Sequence, residues 1–215
     1  MGGQHADSPY QFIQYTGGQR TRMEDPKKTD LGGESEDLFN RVFSSSPGPA
    51  AMPLSDGRLT IKMPNNWQKV DDGKLPVGVS SVGCRPKDNA NVELNIYYRG
   101  SHLDPEAAKR FHDLLSKPPH LLSSDELKQV SQALRDKANP ENFKILSAKT
   151  ETINGRTVLS IEGSYRQFDV RAQVKYVDSE ADGSIVREVS YTAPAKDYAK
   201  YILAAQKSFS SLIGK

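Results

Sequence analysis

From residue 55 onward, apolar and polar positions fall into short regular patterns. Leu59, Ile61 and Met63 alternate with polar neighbours until Pro64, Asn65 and Asn66, which predicts a strand ending in a turn. A weaker strand is expected over 75–82, and Val92, Leu94, Ile96 and Tyr98 give a third with period two that Gly100 closes. The period then changes to that of a helix. Asp104 is placed to cap one, with Pro105 at its first position and Ala107, Ala108, Phe111, Leu114 and Leu115 on one face before Pro118 and Pro119. Ser123, Ser124, Asp125 and Glu126 form a capping box for a second helix, whose stripe is Leu127, Val130, Leu134 and Ala138, stopped by Asn139 and Pro140.

A meander follows. A strand over 143–153 meets Asn154 and Gly155, a strong two-residue hairpin signal, and returns over 157–165. Phe168, Val170, Ala172, Val174 and Tyr176 alternate, and beyond a loop at 178–183 so do Ile185, Val189 and Tyr191. After Pro194 a last helix is expected with Tyr198, Tyr201, Ile202, Ala205, Phe209 and Leu212 on its apolar face, ended by Gly214. Hairpins joined to segregated helices predict an α+β fold, an α/β/α sandwich with a central antiparallel sheet and helices packed on its faces.

Residues 1–54 read differently, as a flexible N-terminal tail ahead of a domain spanning 55–215. Gly, Ser and Pro clusters such as Ser44, Ser45, Ser46, Pro47, Gly48 and Pro49 leave too little apolar surface to offset chain entropy. One piece breaks the pattern: within 35–43, Leu38, Phe39, Val42 and Phe43 make one apolar stripe of a short helix. Nine residues do not hold a helix alone in water, so the stripe needs a surface. That surface is either the chain's own domain or a protein partner, and Leu38, Phe39, Val42 and Phe43 are the candidate partner-binding residues.

Composition narrows the chemistry. Twenty-nine basic and 27 acidic residues leave a net charge of +2, which gives no field to draw in nucleic acid, and no apolar run is long enough to form an integral membrane segment. Cys84 is the only cysteine, so no internal disulfide and no cysteine-rich metal site is expected. Met1 and Gly2 resemble a myristoylation signal, but Ala6 stands where Ser or Thr is needed. No leader is visible: the expected location is cytoplasmic if Met1 is the natural start, and periplasmic, lumenal or secreted if a leader has been removed.

Candidate catalytic groups do not converge. His102, Asp104 and His112 lie near one helix but fit no recognised metal spacing, and Cys84 is read as an inert strand-end thiol despite the neighbouring Arg85. Glu93 and Glu162 sit at strand positions expected to face water. Arg171 and Lys175 share parity and, with Arg166, are expected to line one sheet face where an acidic partner docks. The tyrosines are expected in the core or at its edge, with hydroxyls at a wet rim. No catalytic residue, metal site or cofactor is assigned.

One stretch carries a resemblance. The run from Asp56 through Ile61, Met63, Pro64, Asn65, Asn66 and Trp67 to Val70 resembles the opening of the PsbP-like superfamily, where a strand ends in Pro, two small or polar residues and a Trp. That superfamily includes the extrinsic photosystem protein PsbP, the Mog-type Ran-binding protein and bacterial DcrB-like proteins. The hairpin around Asn154 and Gly155, and Tyr191, Thr192, Ala193 and Pro194 before the last helix, are similar too. The resemblance implies the same sandwich fold, with Pro64 and Trp67 in structural roles. It also implies a non-enzymatic accessory or adaptor module that binds a protein partner. The alternatives are a secretion-associated chaperone or exported protein of DcrB-like type, and an enzyme using Glu or Tyr on a sheet face.

Overall fold

The computed structural model describes residues 53–70, 81–97 and 101–214. Two antiparallel sheets organise them. The larger has the order β3 (Trp67–Val70), β4 (Ser81–Pro86), β5 (Glu93–Tyr97), β10 (Ile185–Pro194), β9 (Val170–Asp178), β8 (Arg156–Tyr165) and β7 (Phe143–Ile153), with β6 (Ser101–His102) also pairing β10. The smaller joins β1 (Pro53–Ser55), β2 (Leu59–Lys62) and β11 (Ile213–Gly214).

Each face of the large sheet is covered by its own core. On one side α1 (Pro105–Leu115), α2 (Ser124–Gln129) and α3 (Ser131–Leu134) bring Phe111, Leu114, Val130 and Leu134 onto Leu159, Ile161, Val174 and Tyr176. On the other, α4 (Ala195–Ser210) and the small sheet bring Tyr198, Ala205, Phe209, Leu59 and Ile61 onto Leu94, Ile96, Val177 and Val189. This is the expected α+β sandwich, with helices on both faces of a central antiparallel sheet.

Several local expectations hold for their stated reasons. Asp104 accepts the Ala107 N–H at 2.8 Å and caps α1, and Ser123 with Glu126 closes a full capping box on α2. Asn154 and Gly155 both take positive φ, 49° and 78°, as a two-residue hairpin turn requires.

Other expectations need correction. Leu54 is buried and β1 covers Pro53–Ser55, so residues 53 and 54, expected in the tail, are in a strand; the remainder of the expected tail, with Leu38, Phe39, Val42 and Phe43, lies outside the described residues. Of the strand expected over 75–82, the part over 75–80 lies outside the described residues, and β4 runs from Ser81 on to Pro86, which puts Cys84 in the middle of a buried strand. Trp67 closes the turn after Pro64, its N–H donating to the Pro64 carbonyl at 3.3 Å, and also opens a further strand, β3, paired with Pro86. The single second helix is broken: Val130 leaves helical geometry (φ −102°, ψ 15°), Arg135 takes φ 55°, and a 3-10 turn at Arg135–Ala138 follows. The break lets Val130, Ala133 and Leu134 all reach the core while Lys137 turns under to Glu188, 3.0 Å away.

The last helix stops at Ser210 rather than running to Gly214. Asn154 Nδ2 donates to the carbonyls of Ser210 and Leu212, and Ile213 and Gly214 then pair with Thr60 and Leu59. Phe168, expected inside a strand, sits in the turn before β9. Among the described residues no helix is long and apolar enough to cross a membrane.

Candidate functional site

The site begins with a phase problem in β7. Phe143 and Ala148 are five residues apart, so a regular strand would send them to opposite faces, yet both are buried in the core under α1 to α3. A bulge between Ile145 and Ser147 resolves this by inserting Leu146, whose side chain is then 50% exposed. Gly163 on β8 makes room for it: a Cβ there would lie 2.3 Å from the Phe143 ring and 2.4 Å from the Lys144 carbonyl.

Next to the bulge, β8 turns into β9 over 166–169. Arg166 is anchored at the tip by its Nε donating to the Pro140 carbonyl at 2.6 Å, and its N–H donates to the Asn142 carbonyl. Phe168 stands 37% exposed on the same turn. The Asp169 carbonyl accepts from the Ala195 N–H at 3.0 Å, which sets the start of α4 against the turn. An open cavity of about 590 Å³ lies here, lined by Leu146, Arg166, Phe168, Asp169, Arg171 and Ala195 among others. It combines two exposed apolar side chains with two arginines and one aspartate.

From the cavity a polar strip runs along the face that α4 covers. Arg171 donates to Glu162 at 2.7 Å and its guanidinium carbon lies 4.3 Å from the centre of the Tyr198 ring. Lys175, nearly buried, is paired with Glu151 and donates to Ser160 at 2.7 Å, and Lys149 reaches the same Glu151 at 2.9 Å. Burial opposes the Glu151 charge, but the two lysines overcome it and hold the carboxyl below its ordinary range. Burial also pushes the Lys175 ammonium below its usual value, against the pull of Glu151. Gln173 Oε1 and Arg171 Nε, both buried on this face, have no hydrogen-bond partner among the described residues.

These contacts correct the sequence reading in part. Arg171 and Lys175 do share a face, but Lys175 is sealed in an internal ion pair and offers an acidic partner nothing. Arg166 and Arg171 remain at the cavity. Glu162 is half-buried against Arg171, and Glu93 is half-buried and accepts from Asn95, so neither is a freely solvated carboxylate.

The candidate acids and nucleophiles sit in environments that quiet them. Burial pushes the Cys84 thiol up to about 12, so Arg85 does not activate it. Tyr176 and Tyr198 are buried rather than at a wet rim, and burial raises both hydroxyls, the nearby charge of Glu162 adding to the effect at Tyr198. His112 lies exposed on α1 with Nδ1 3.8 Å from Asp178, while His102 is on β6; among the described residues no group of three His, Cys, Asp or Glu is placed to hold a metal ion. The cavity itself was missed from sequence, although one signal was present. Apolar positions 143 and 145 fall out of step with 148, which marks a bulge.

Comparison with known proteins adds the following. No family model matches the chain, and no curated protein matches it. Among solved structures it is similar to a cyanobacterial PsbP (CyanoP) from Synechocystis sp. PCC 6803, at 12% identity and a TM-score of 0.45 over 80% of this chain and 96% of that one. A protein of unknown function and putative regulator from Pseudomonas aeruginosa aligns at 12% identity and 0.42, over 73% of this chain and 91% of that one. LpqN of Mycobacterium tuberculosis, described as involved in cell envelope biogenesis, aligns at 15% and 0.36, over 77% and 86%.

Proposed function

We propose that this domain is a non-enzymatic accessory module that binds a protein partner, and that the cavity beside the β8–β9 turn is its binding face. The observation that carries the reading is the exposure of Leu146 and Phe168 on the wall of one open cavity. A bulge and a tight turn, each held by specific contacts, set Leu146 50% and Phe168 37% exposed at the cavity wall, an apolar surface that a partner side chain can pack on. The segment 35–43, with Leu38, Phe39, Val42 and Phe43, supplies a second partner contact in this reading.

The rival readings fit the geometry less well. An apolar cradle of the chaperone kind is not supported by a sheet face carrying Arg171, Glu162, Lys175 and Glu151. A general acid or base is not supported by carboxylates held in ion pairs and tyrosines whose hydroxyls are raised by burial.

The test compares wild type with Leu146→Asp combined with Phe168→Ser as baits in the source cells, quantified by mass spectrometry. The double variant is expected to melt with the wild type and to lose the wild type's specific partner. Equal recovery of the same proteins by both baits would contradict the reading.

A further inference from the structure

We propose that Asn154 is a site of spontaneous deamidation, and that its conversion to aspartate or isoaspartate releases β11 from β2. This goes beyond the binding reading and does not rest on it, since Asn154 stands at the far end of β8 from the cavity.

The chemistry follows from two neighbours in the sequence. Asn154 and Gly155 form the only Asn–Gly pair in the chain. Both are exposed at the tip of the β7–β8 hairpin, and a Cβ at Gly155 would meet nothing within 4 Å. With no side chain to hinder it, the Gly155 backbone nitrogen is open to attack the Cγ of the Asn154 carboxamide. The N–Cγ bond forms, the Cγ–Nδ2 bond breaks, and ammonia leaves with the proton that the Gly155 nitrogen gives up. Water then opens the cyclic imide at either carbonyl, which yields aspartate or isoaspartate and a proton. Water is the one co-reactant required.

The fold both restrains this reaction and depends on the group that it removes. Asn154 Nδ2 donates to the Ser210 carbonyl at 3.1 Å and to the Leu212 carbonyl at 2.9 Å. Attack requires the side chain to swing towards Gly155, so conversion proceeds from states in which this clamp has opened. The Ser210 carbonyl is the last of α4 and has no partner inside the helix, so Asn154 satisfies a group that the helix leaves bare. An aspartate carboxylate only accepts, and in place of two donors it turns negative oxygens towards two carbonyls. Beyond the clamp β11 is two residues long, pairing Ile213 with Thr60 and Gly214 with Leu59. Its other tie is the Lys62 N–H donating to Ser211 Oγ at 2.7 Å, upstream of Leu212. Leu212 belongs to the same core as Leu59, Ile61 and Phe209, so losing the clamp loosens the segment that closes this core. Isoaspartate adds a backbone carbon to the turn and shifts it further.

The experiment ages the full chain in mildly alkaline buffer at physiological temperature, maps deamidation by peptide mass spectrometry and follows hydrogen exchange on the same samples. Conversion is expected at Asn154 ahead of the other asparagines. Exchange at residues 59–60 and 212–214 is expected to accelerate about tenfold or more, the worth of two lost bonds, while β9 keeps its protection. Asn154→Asp supplies the product without ageing, and because Asp-Gly forms the same hairpin turn as Asn-Gly, it isolates the lost donors from any change in the turn. That variant is expected to show the faster exchange from the outset. Deamidation that spares Asn154, or an Asn154→Asp protein that exchanges at 59–60 and 212–214 as the wild type does, would overturn the inference.

Discussion

Trp67 and Tyr201 meet edge to face, with ring centroids 6.3 Å apart and planes at 79°, and so tie the edge strand β3 to α4 across the core. The indole is only 6% exposed. Its truncation leaves a void at a junction of two elements that share no backbone bonds. Trp67→Ala is expected to cost about 3–5 kcal/mol in chemical denaturation. Native fluorescence should be blue-shifted, since this is the chain's one tryptophan, and emission typical of a fully hydrated indole would refute the placement.

The Lys175 and Glu151 pair makes an asymmetric prediction. Lys175 is almost wholly buried and Glu151 about a quarter exposed. Glu151→Ala leaves a buried ammonium with Ser160 as its remaining partner and is expected to cost roughly 3 kcal/mol. Lys175→Met removes the buried charge itself and is expected to be nearly neutral, because the Glu151 carboxylate retains Lys149. Equal losses in urea midpoints would show that the pair stabilises by its attraction and not merely by mutual compensation.

Acid sensitivity should report on α2. Lys117, then the Ser123 backbone and hydroxyl groups and His120, hold the Glu126 carboxyl at about 2 instead of 4.5. A carboxyl lowered on folding contributes stability that is fully present above 4.5 and is lost as pH falls through about 2. Melting temperatures taken through this window should fall more steeply for wild type than for Glu126→Gln. Parallel curves would remove the capping box from the account of acid stability.

Where one residue type settles the local geometry, the sequence was readable. Asp104 with Pro105, Ser123 with Glu126, and Asn154 with Gly155 each carry their own backbone instruction, and each appears where expected. The features that build the cavity depend on pairs of strands instead. The Leu146 bulge needs Gly163 on the neighbouring strand, and Phe168 continues an alternating pattern that the turn at 166–169 overrides. Lys175 shows the same limit from the other side. Its parity was correct, but whether it meets solvent or Glu151 is decided by β7 and by α4 above it. The broken helix around Val130 is likewise a tertiary outcome, since a continuous stripe would satisfy the sequence pattern alone.

The tail contributes a prediction that is independent of the cavity. Leu38, Phe39, Val42 and Phe43 are proposed as an amphipathic contact for the partner, with Glu36, Asp37 and Arg41 on its polar side. Phe39→Ala combined with Phe43→Ala is expected to weaken the partner complex about tenfold or more, as loss of two aromatic anchors does at interfaces. Undiminished affinity with a lowered melting temperature would place the stripe on the chain's own domain, and no change in either would show it to be an accident of composition.

The central claim, that the partner sits on the cavity beside Leu146 and Phe168, is tested most directly by site-resolved photo-crosslinking in the source cells. A photoreactive phenylalanine analogue is placed at Phe168 in one protein and at Leu121, an exposed apolar position on the segment that closes β7, in another. The account predicts a discrete adduct of one partner from position 168, absent from position 121 and abolished by Leu146→Asp. Adducts of the same size and yield from both positions, or none from position 168 while the partner still co-purifies, would contradict it.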